Sequence, residues 1–359
     1  MNSIYIHIPF CKNICSYCDF CKIYYNETLV NKYLEALSNE IKNNYKKEKI
    51  KTLYIGGGTP SSLNLKQLKK IFGIIKQIKL DKDYEFTFEL NPDDLIKEKL
   101  LLLKKNKVNR ISIGVQTFNN KYLKLLNRSH NIKQIKDGIK LSKSIGLNNI
   151  NLDLMYGFSN QTFKELKKDV KTLLSLNPTH ISTYSLILEP NTILYINNNK
   201  PINEDLEYKM YQYICKKMQK KKYIHYEISN FSKDNYQSNH NLNYWDNNEY
   251  YGFGLGAHGY INDFRYENTR SINKYIKGNY LLKSHKLTKK ETMENELILG
   301  LRKIEGISIL KFKKKFNIDI EKVFGINLLE RKKNNLFIKE KNIYIMNEIL
   351  NKVLEEVEE

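Results

Sequence analysis

The sequence predicts an α/β fold: an open, partial (β/α)6 barrel followed by a small winged-helix-like α+β domain. Three observations predict it. Six short segments rich in β-branched and aromatic residues alternate with segments of helical period. Polar and glycine residues gather where those six segments end. From about Lys286 the alternation gives way to helices and a hairpin-like pair. The expected division is therefore 1–285 and 286–359.

The six β-like segments are Ser3–Pro9, Lys51–Gly56, Glu85–Leu90, Arg110–Val115, Asn149–Met155 and His180–Leu186. Between them Val30, Leu34, Leu37 and Ile41 share one helical face, as do Leu65, Leu68, Phe72 and Ile75. A run of β-α-β units implies parallel strands joined by right-handed crossovers. Six units are too few to close an eight-stranded barrel and suit an open one. In such barrels chemistry sits at the C-terminal ends of the strands, and ligand-type residues collect there. The first strand runs into the cysteines, the second into Gly56-Gly57-Gly58-Thr59-Pro60, and the third into Glu89. The fourth ends at Gly114 and Gln116, and Asp153 lies near the end of the fifth.

The loop after the first strand reads C-K-N-I-C-S-Y-C-D-F-C and holds four of the chain's five cysteines. Cys11, Cys15 and Cys18 have the spacing C-x3-C-x2-C. Thiolates are soft ligands that suit iron–sulfur clusters or zinc. Three of them on a four-iron cluster would leave one iron open to a small molecule. The competing reading is a structural zinc knot of Cys11, Cys15, Cys18 and Cys21. Structural zinc sites usually arrive as two separated C-x2-C pairs, and four thiolates crowded into one short loop strain a tetrahedron. The cluster reading is preferred. Gly56–Gly58 allows close backbone approach to a ligand and φ > 0, and Pro60 presets the next turn. A P-loop is excluded, because no Gly-Lys-Ser/Thr follows.

Nothing near Met1 resembles a signal peptide, and no apolar run approaches membrane-spanning length. Cysteines confined to one loop, with Cys215 apart, do not make a disulfide framework, which points to a reducing cytoplasm. The formal charge of +21 invites a nucleic-acid or acidic-lipid reading. A chain-wide bias to Lys, Asn, Ile and Tyr spreads that basicity everywhere, so it argues little for one patch.

With C-x3-C-x2-C followed by Gly56–Pro60, the chain resembles the radical S-adenosylmethionine (SAM) superfamily. Ile6–Cys11 (IHIPFC), Tyr17–Phe20 (YCDF), Tyr54–Ser61 (YIGGGTPS), Glu89–Pro92 (ELNP), Arg110–Gln116 (RISIGVQ) and Asn151–Gly157 (NLDLMYG) are similar to the oxygen-independent coproporphyrinogen III oxidase family. His240–Trp245 (HNLNYW) and Gly256–Tyr260 (GAHGY) resemble its HemW-type branch, the heme chaperones. The motifs run in family order from residue 5 to about residue 270.

The resemblance implies roles by position. The partial barrel would be of the radical SAM type. Cys11, Cys15 and Cys18 would bind three irons of a [4Fe–4S] cluster, and SAM would chelate the fourth. An electron from the cluster would cleave the sulfonium to a 5′-deoxyadenosyl radical, chemistry that the cofactors supply. Tyr5 and Tyr17 would flank SAM, Gly57, Gly58 and Thr59 would receive its methionyl end, and Glu89 would accept hydrogen bonds from it. In the oxidase branch the residues matching Gln116, Arg128 and Asp153 contact a second SAM; here they line the corresponding space. Two departures separate the chain from the oxidases. Their extra cysteine two residues after the triad is Phe20 here, with Cys21 one step later, and their long segment ahead of the cluster is not present before Cys11. Cys21 is expected to be a small buried residue.

Heme is the third expected cofactor. His240 beside Tyr244 and Trp245 combines an imidazole with two flat rings, suited to an axial ligand that stacks on a macrocycle; the plainer reading is a satisfied core histidine. His258 lies between glycines in a loop open to close ligand approach, or is simply a turn histidine. His7 reads as structural or barrel-lining, and His225 and His285 carry no signal.

The tail is expected to form helices near Lys289–Arg302 and Ile307–Phe316, a hairpin of Leu336–Lys339 with Ile343–Met346 around Lys341-Asn342, and a last helix Asn347–Glu358. Winged helices often bind DNA, and Lys311–Lys315 would suit phosphates; a solvated face on a packing and partner-contact module is preferred. Three functions follow from these readings. The first is a heme chaperone serving heme-accepting apoproteins such as respiratory enzymes, at a membrane surface among other places, with a homodimer left open. The second is an oxygen-independent oxidase that decarboxylates coproporphyrinogen III. The third is a nucleic-acid protein such as a radical SAM RNA-modifying enzyme. The first is preferred, with no specific nucleic acid as partner.

Overall fold

The structure is a computed structural model that describes residues 2–355. The six expected strands form in order: β1 (Ser3–Ile8), β2 (Ile50–Gly57), β3 (Leu80–Leu90), β4 (Arg110–Gln116), β5 (Asn149–Tyr156) and β6 (His180–Ser185). They pair in parallel as β1-β2-β3-β4-β5-β6. The crossovers carry helices α1 (Glu27–Asn44), α2 (Leu65–Ile75), α3 (Lys97–Lys105), α4 (Ile132–Ile145) and α5 (Phe163–Ser175). Four of the five start where the sequence offers a side-chain cap; α3, which follows Ile96, does not. Asn26, Asn64, Asn131 and Thr162 accept from backbone N–H groups of the first turn, three of them within full capping boxes. The expected α1 face, Val30, Leu34, Leu37 and Ile41, is wholly buried. Leu65 departs from its expected face: as the first residue of α2 it is exposed, while Leu68, Phe72 and Ile75 are buried.

The sheet is larger than six strands. After helix α6 (Glu204–Lys220), strands β7 (Ile224–Glu227) and β8 (Asn230–Ser232) add antiparallel beyond β6. Helix α7 (Asn239–Trp245) then leads to β9 (Tyr250–Phe253), which pairs in parallel with the free edge of β1. Strands β10 (His258–Ile261), β11 (Phe264–Asn268) and β12 (Leu281–Lys286) extend that edge antiparallel, giving twelve strands. The seventh parallel strand is only Y-Y-G-F, too short for a periodicity to reveal it.

Strand alternation divides the barrel. Ile4, Ile6, Leu53, Ile55, Phe86, Phe88, Ile111, Ile113, Ile150 and Leu152 are buried apolar residues on the helix side. Between them lie Tyr5, Tyr54, Thr87, Glu89, Arg110, Ser112, Asn151, Asp153 and Tyr184, so the interior is polar and aromatic.

The last segment has its own core. Helices α8 (Lys289–Gly300), α9 (Ile309–Phe316) and α10 (Met346–Glu355) pack with a three-stranded sheet of β13 (Ile307–Ser308), β14 (Glu330–Lys332) and β15 (Asn335–Phe337) around Leu297, Phe312, Leu336 and Val353. The expected hairpin is corrected. It is built from β14 and β15 around Lys333-Asn334, with Lys333 at φ 54. Ile343–Met346 is not a strand: β15 already pairs with β13 and β14, and Glu340–Ile345 is a 3-10 helix. Ile343, Met346, Ile349 and Val353 are all buried at helical spacing. Residues 356–358 of the expected last helix lie outside the described residues. Of the lysines in Lys311–Lys315, Lys313 pairs with Asp319 at 2.8 Å and Lys315 with Glu296 at 2.6 Å. No helix among the described residues is long and apolar enough to cross a membrane.

Candidate functional site

The cysteine loop leaves β1 and is pinned at both ends. Phe10 and Cys11 pair in parallel with Ile23 and Tyr24, closing the loop. Inside it, Ser16 N–H donates to Leu126 O at 3.2 Å, and Asn127 Nδ2 donates to Ile14 O at 2.8 Å. The glycine loop lies against it: Gly58 N–H donates to Ile8 O at 2.9 Å and Thr59 N–H to Phe10 O at 3.0 Å.

Glycine is required at these positions. A Cβ on Gly58 would stand 2.7 Å from the Pro9 carbonyl and 2.9 Å from Cys11 Sγ. Gly57 has φ +119, and a Cβ there would strike the His7 ring at 2.6 Å.

Cys11, Cys15 and Cys18 line one cavity of about 420 Å³ at the C-terminal mouth of the barrel. Tyr17, Gly57, Gly58, Thr59, Glu89, Gln116, Arg128 and Asp153 line it too, so nearly every residue expected to hold SAM meets the cysteines there. Tyr5 does not. It faces a second, neighbouring cavity of about 760 Å³, donating to His7 Nδ1 at 2.9 Å. Tyr17, Cys18, Tyr54, Glu89 and Tyr184 line both cavities, which therefore adjoin.

Two of the three sulfurs accept hydrogen bonds. Arg128 Nη1 donates to Cys15 Sγ at 3.2 Å, and Thr59 Oγ1 to Cys11 Sγ at 3.5 Å. Burial pushes the Cys11 thiol up to about 11 and raises that of Cys18, so only a nearby cation would hold these groups as thiolates at neutral pH. Among the described residues no three His, Cys, Asp or Glu side chains converge on a single-ion site. Cys21 lies apart from the triad: it faces the larger cavity, and its Sγ would stand 3.0 Å from a Cβ on Gly256. That placement speaks against a four-cysteine zinc knot and fits a three-thiolate cluster site, with the Gly58 cradle leaving room beside Cys11.

Glu89 is partly buried and lines both cavities. Tyr54 OH donates to its Oε1 at 2.6 Å and Gly57 N–H to its Oε2 at 3.1 Å, yet burial pushes the carboxyl up to about 7. Burial likewise raises Asp153 to about 6, against a 2.7 Å hydrogen bond from Asn151 Nδ2. Buried acids of raised pKa ionise when a cation enters beside them, which suits a sulfonium and an ammonium. Gln116, although not glycine, has φ 67; its Oε1 accepts from Tyr184 OH. Arg128 also donates to Gly114 O, and a Cβ on Gly114 would sit 3.0 Å from its guanidinium.

The heme candidates separate. Helix α7 lies across the N-terminal ends of β1–β3, where Glu85 accepts from Asn239 N–H at 2.9 Å and His240 N–H at 3.1 Å. His240 is 1 % exposed, with Nδ1 bonded to Thr52 Oγ1 at 2.8 Å and Nε2 to Tyr244 OH at 2.9 Å. Tyr54 stacks on it with centroids 5.0 Å apart, and burial lowers its pKa to about 3. It is a neutral, satisfied imidazole in the floor of the larger cavity. Tyr244, four residues on, shares that face. Trp245 does not: it packs under the Arg302 guanidinium, 5.5 Å from the ring centroid, because successive helical residues point about 100° apart. It is absent from the lining of either cavity and contacts the C-terminal segment. His258 stands at the mouth of the larger cavity, its side chain 58 % exposed.

Tyr54, Tyr184, Arg110 and Arg270 line these cavities without having been singled out in the sequence. For the first three the signal was there: they occupy the interior-facing alternate positions of β2, β6 and β4. Arg270 follows β11 and had none.

Known proteins are similar to this chain. The model of the radical SAM superfamily matches residues 5–173, and that of the HemN C-terminal domain residues 287–343. The heme chaperone HemW of Lactococcus lactis subsp. lactis is 42% identical over 337 residues, 92% of this chain and 89% of its own. The heme chaperone HemW of Bacillus subtilis is 43% identical over 339 residues, 90% and 89% of the two chains. The coproporphyrinogen III oxidase HemN of Escherichia coli, a radical SAM enzyme, superposes with a TM-score of 0.86 at 20% identity. That match covers 99% of this chain and 90% of HemN, a likeness of fold.

Proposed function

Because this chain belongs to the HemW heme chaperone family of the radical SAM superfamily, we propose that it binds heme, a [4Fe–4S] cluster and SAM and passes heme to apoproteins in the cytoplasm. The observation that carries this reading is the adjacency of the two cavities, which share lining residues: three cysteines and a glycine cradle in one, an aromatic chamber with a histidine at its mouth in the other.

Cys11, Cys15 and Cys18 would hold the cluster, and Gly57, Gly58, Thr59 and Glu89 the methionyl end of SAM. When bound, the cluster and SAM supply one-electron chemistry. The chain's own part is binding and exclusion of water. Arg128 steadies Cys15 through its 3.2 Å hydrogen bond. Glu89 gives up its proton when a cation arrives, and Tyr17, Tyr54 and Tyr184 line both chambers. The acceptors would be apoproteins of the respiratory type, some at the membrane surface. The C-terminal segment serves packing and partner contact, since two lysines of its basic run are already paired with carboxylates.

The test is a transfer assay. The anaerobically reconstituted protein is loaded with heme and mixed with an apo heme protein, and the acceptor's spectrum is followed. Heme moving faster than from free solution supports the reading. Conversion of coproporphyrinogen III to protoporphyrinogen with SAM and reductant, without such transfer, supports the oxidase instead.

A further inference from the structure

Three histidines line the larger cavity: His7, His240 and His258. Two of them have no free ring nitrogen. His7 Nδ1 accepts from Tyr5 OH at 2.9 Å, and its Nε2 meets Cys21 O at 2.7 Å. It is 4 % exposed, and Gly57 is packed against its ring. His240 uses both nitrogens on Thr52 and Tyr244 beneath the stacked Tyr54 ring. To bind an iron, either would have to give up the hydrogen bond at the ligating nitrogen and leave its polar partner unsatisfied in a buried place.

His258 differs in each respect. Its side chain is 58 % exposed, and its nearest polar partner is Glu267 Oε1, 3.9 Å from Nε2 and beyond hydrogen-bond range. The two face each other across the β10–β11 ladder. Glu267 is held by Lys283 at 3.0 Å and Arg270 Nε at 3.4 Å, so a carboxylate waits beside the imidazole. Such a carboxylate, bonded to one ring N–H, makes the other nitrogen a better metal ligand. The strand that carries His258 is fixed against the cysteine loop: Gly256 has φ +68, and a Cβ there would stand 2.7 Å from Cys21 Cβ. Arg270, 59 % exposed, also lines this cavity. The chamber, at about 760 Å³, falls within the usual ~300–1,000 Å³ of ligand cavities. Its walls include Tyr54, Tyr244, Tyr250 and Met155, flat and soft surfaces for a macrocycle.

We propose that His258, and not His240, is the axial ligand of heme in this chain, with Arg270 pairing a propionate and His240 and Tyr244 serving as the floor on which the macrocycle rests. This rests on the heme-binding reading above. It assigns to an exposed histidine at the start of β10 the role that the aromatic motif Asn241–Trp245 would suggest for its neighbour. An exposed ligand also suits a protein that must give its heme away, since nothing buried has to open.

The test is hemin titration of the full, cluster-loaded chain, followed by the Soret band and by co-elution of heme on gel filtration. Wild type is expected to bind one equivalent saturably. His258→Ala is expected to bind at least about tenfold more weakly with an altered Soret band. Free imidazole added to that variant should restore a protein-bound band that co-elutes. A His258→Ala protein with the wild-type spectrum and affinity overturns the assignment and leaves heme binding standing. So does a loss that imidazole cannot restore, which would mark a structural role. Wild type that fails to bind hemin at all overturns both this assignment and the function proposed above.

Discussion

The Glu89 carboxylate accepts a hydrogen bond from the Gly57 backbone N–H at 3.1 Å, tying β3 to the glycine loop that ends β2. This acid is a structural tie, and in the proposed SAM site it would be the group that answers a cationic ligand. Burial raises its pKa from the ordinary 4.5 to about 7, the Tyr54 and Gly57 hydrogen bonds only partly opposing the shift.

A pH dependence follows. Between about pH 4.5 and 7 the folded chain keeps a proton on Glu89 that the unfolded chain has lost, so this group's contribution to stability falls as pH rises through that window. A cation bound beside it needs the ionised form. SAM affinity of the cluster-loaded protein is therefore expected to rise between about pH 6 and pH 8. Calorimetry in buffers of different ionisation enthalpy should detect proton release on binding, and Glu89→Gln should bind weakly with a flat profile. A flat profile in wild type would remove Glu89 from the SAM site.

Gly58→Ala should be severe. Its Cβ would meet the Pro9 backbone at 2.7 Å and Cys11 Sγ at 2.9 Å, and backbone cannot swing aside as a long side chain can. We expect about 1–3 kcal/mol of destabilisation by denaturant unfolding, together with loss of iron after reconstitution. Normal iron content in a normally stable variant would mean that the cradle is not part of the cluster site.

The cysteines should divide three to one. Cys15→Ser, which removes the sulfur that Arg128 bonds, is expected to abolish the visible charge-transfer absorption of the reconstituted protein. Cys21→Ser, which alters only a residue packed beside Gly256, should keep it. Loss of colour in the Cys21 variant would make it a ligand.

The C-terminal core should behave as a packed unit. Phe312 is fully buried against Phe316 and Phe324, with ring centroids 4.6 and 6.1 Å away. Phe312→Ala is expected to cost about 3–5 kcal/mol in denaturant unfolding. A change below about 1 kcal/mol would contradict the packing described for this segment.

Much of this architecture was legible in the residues. The six strands declared themselves through Val, Ile, Phe and Tyr runs ending in turn residues, and the cysteine spacing and Gly56–Pro60 pointed to their C-terminal ends, where Cys11, Cys15, Cys18, Gly57, Gly58 and Thr59 line one cavity. What stayed hidden had local causes. Strand β9 is four residues with a glycine, so nothing in Tyr250–Phe253 announced a seventh parallel strand. The hairpin was misplaced because Lys341-Asn342 resembles a turn as closely as Lys333-Asn334 does, and only pairing with β13 decides between them. The roles of the histidines were beyond reach for the same reason. That His240 is satisfied by Thr52 depends on a contact 188 positions apart, which no spacing rule records.

The central claim is that Cys11, Cys15 and Cys18 alone hold a cluster with one corner left for SAM. Its most direct test is iron, acid-labile sulfide and zinc analysis of the anaerobically prepared protein, with the reduced cluster's electron paramagnetic resonance recorded before and after SAM. The account predicts about four irons and four sulfides per chain and a signal that SAM alters. One zinc ion per chain without sulfide would contradict it.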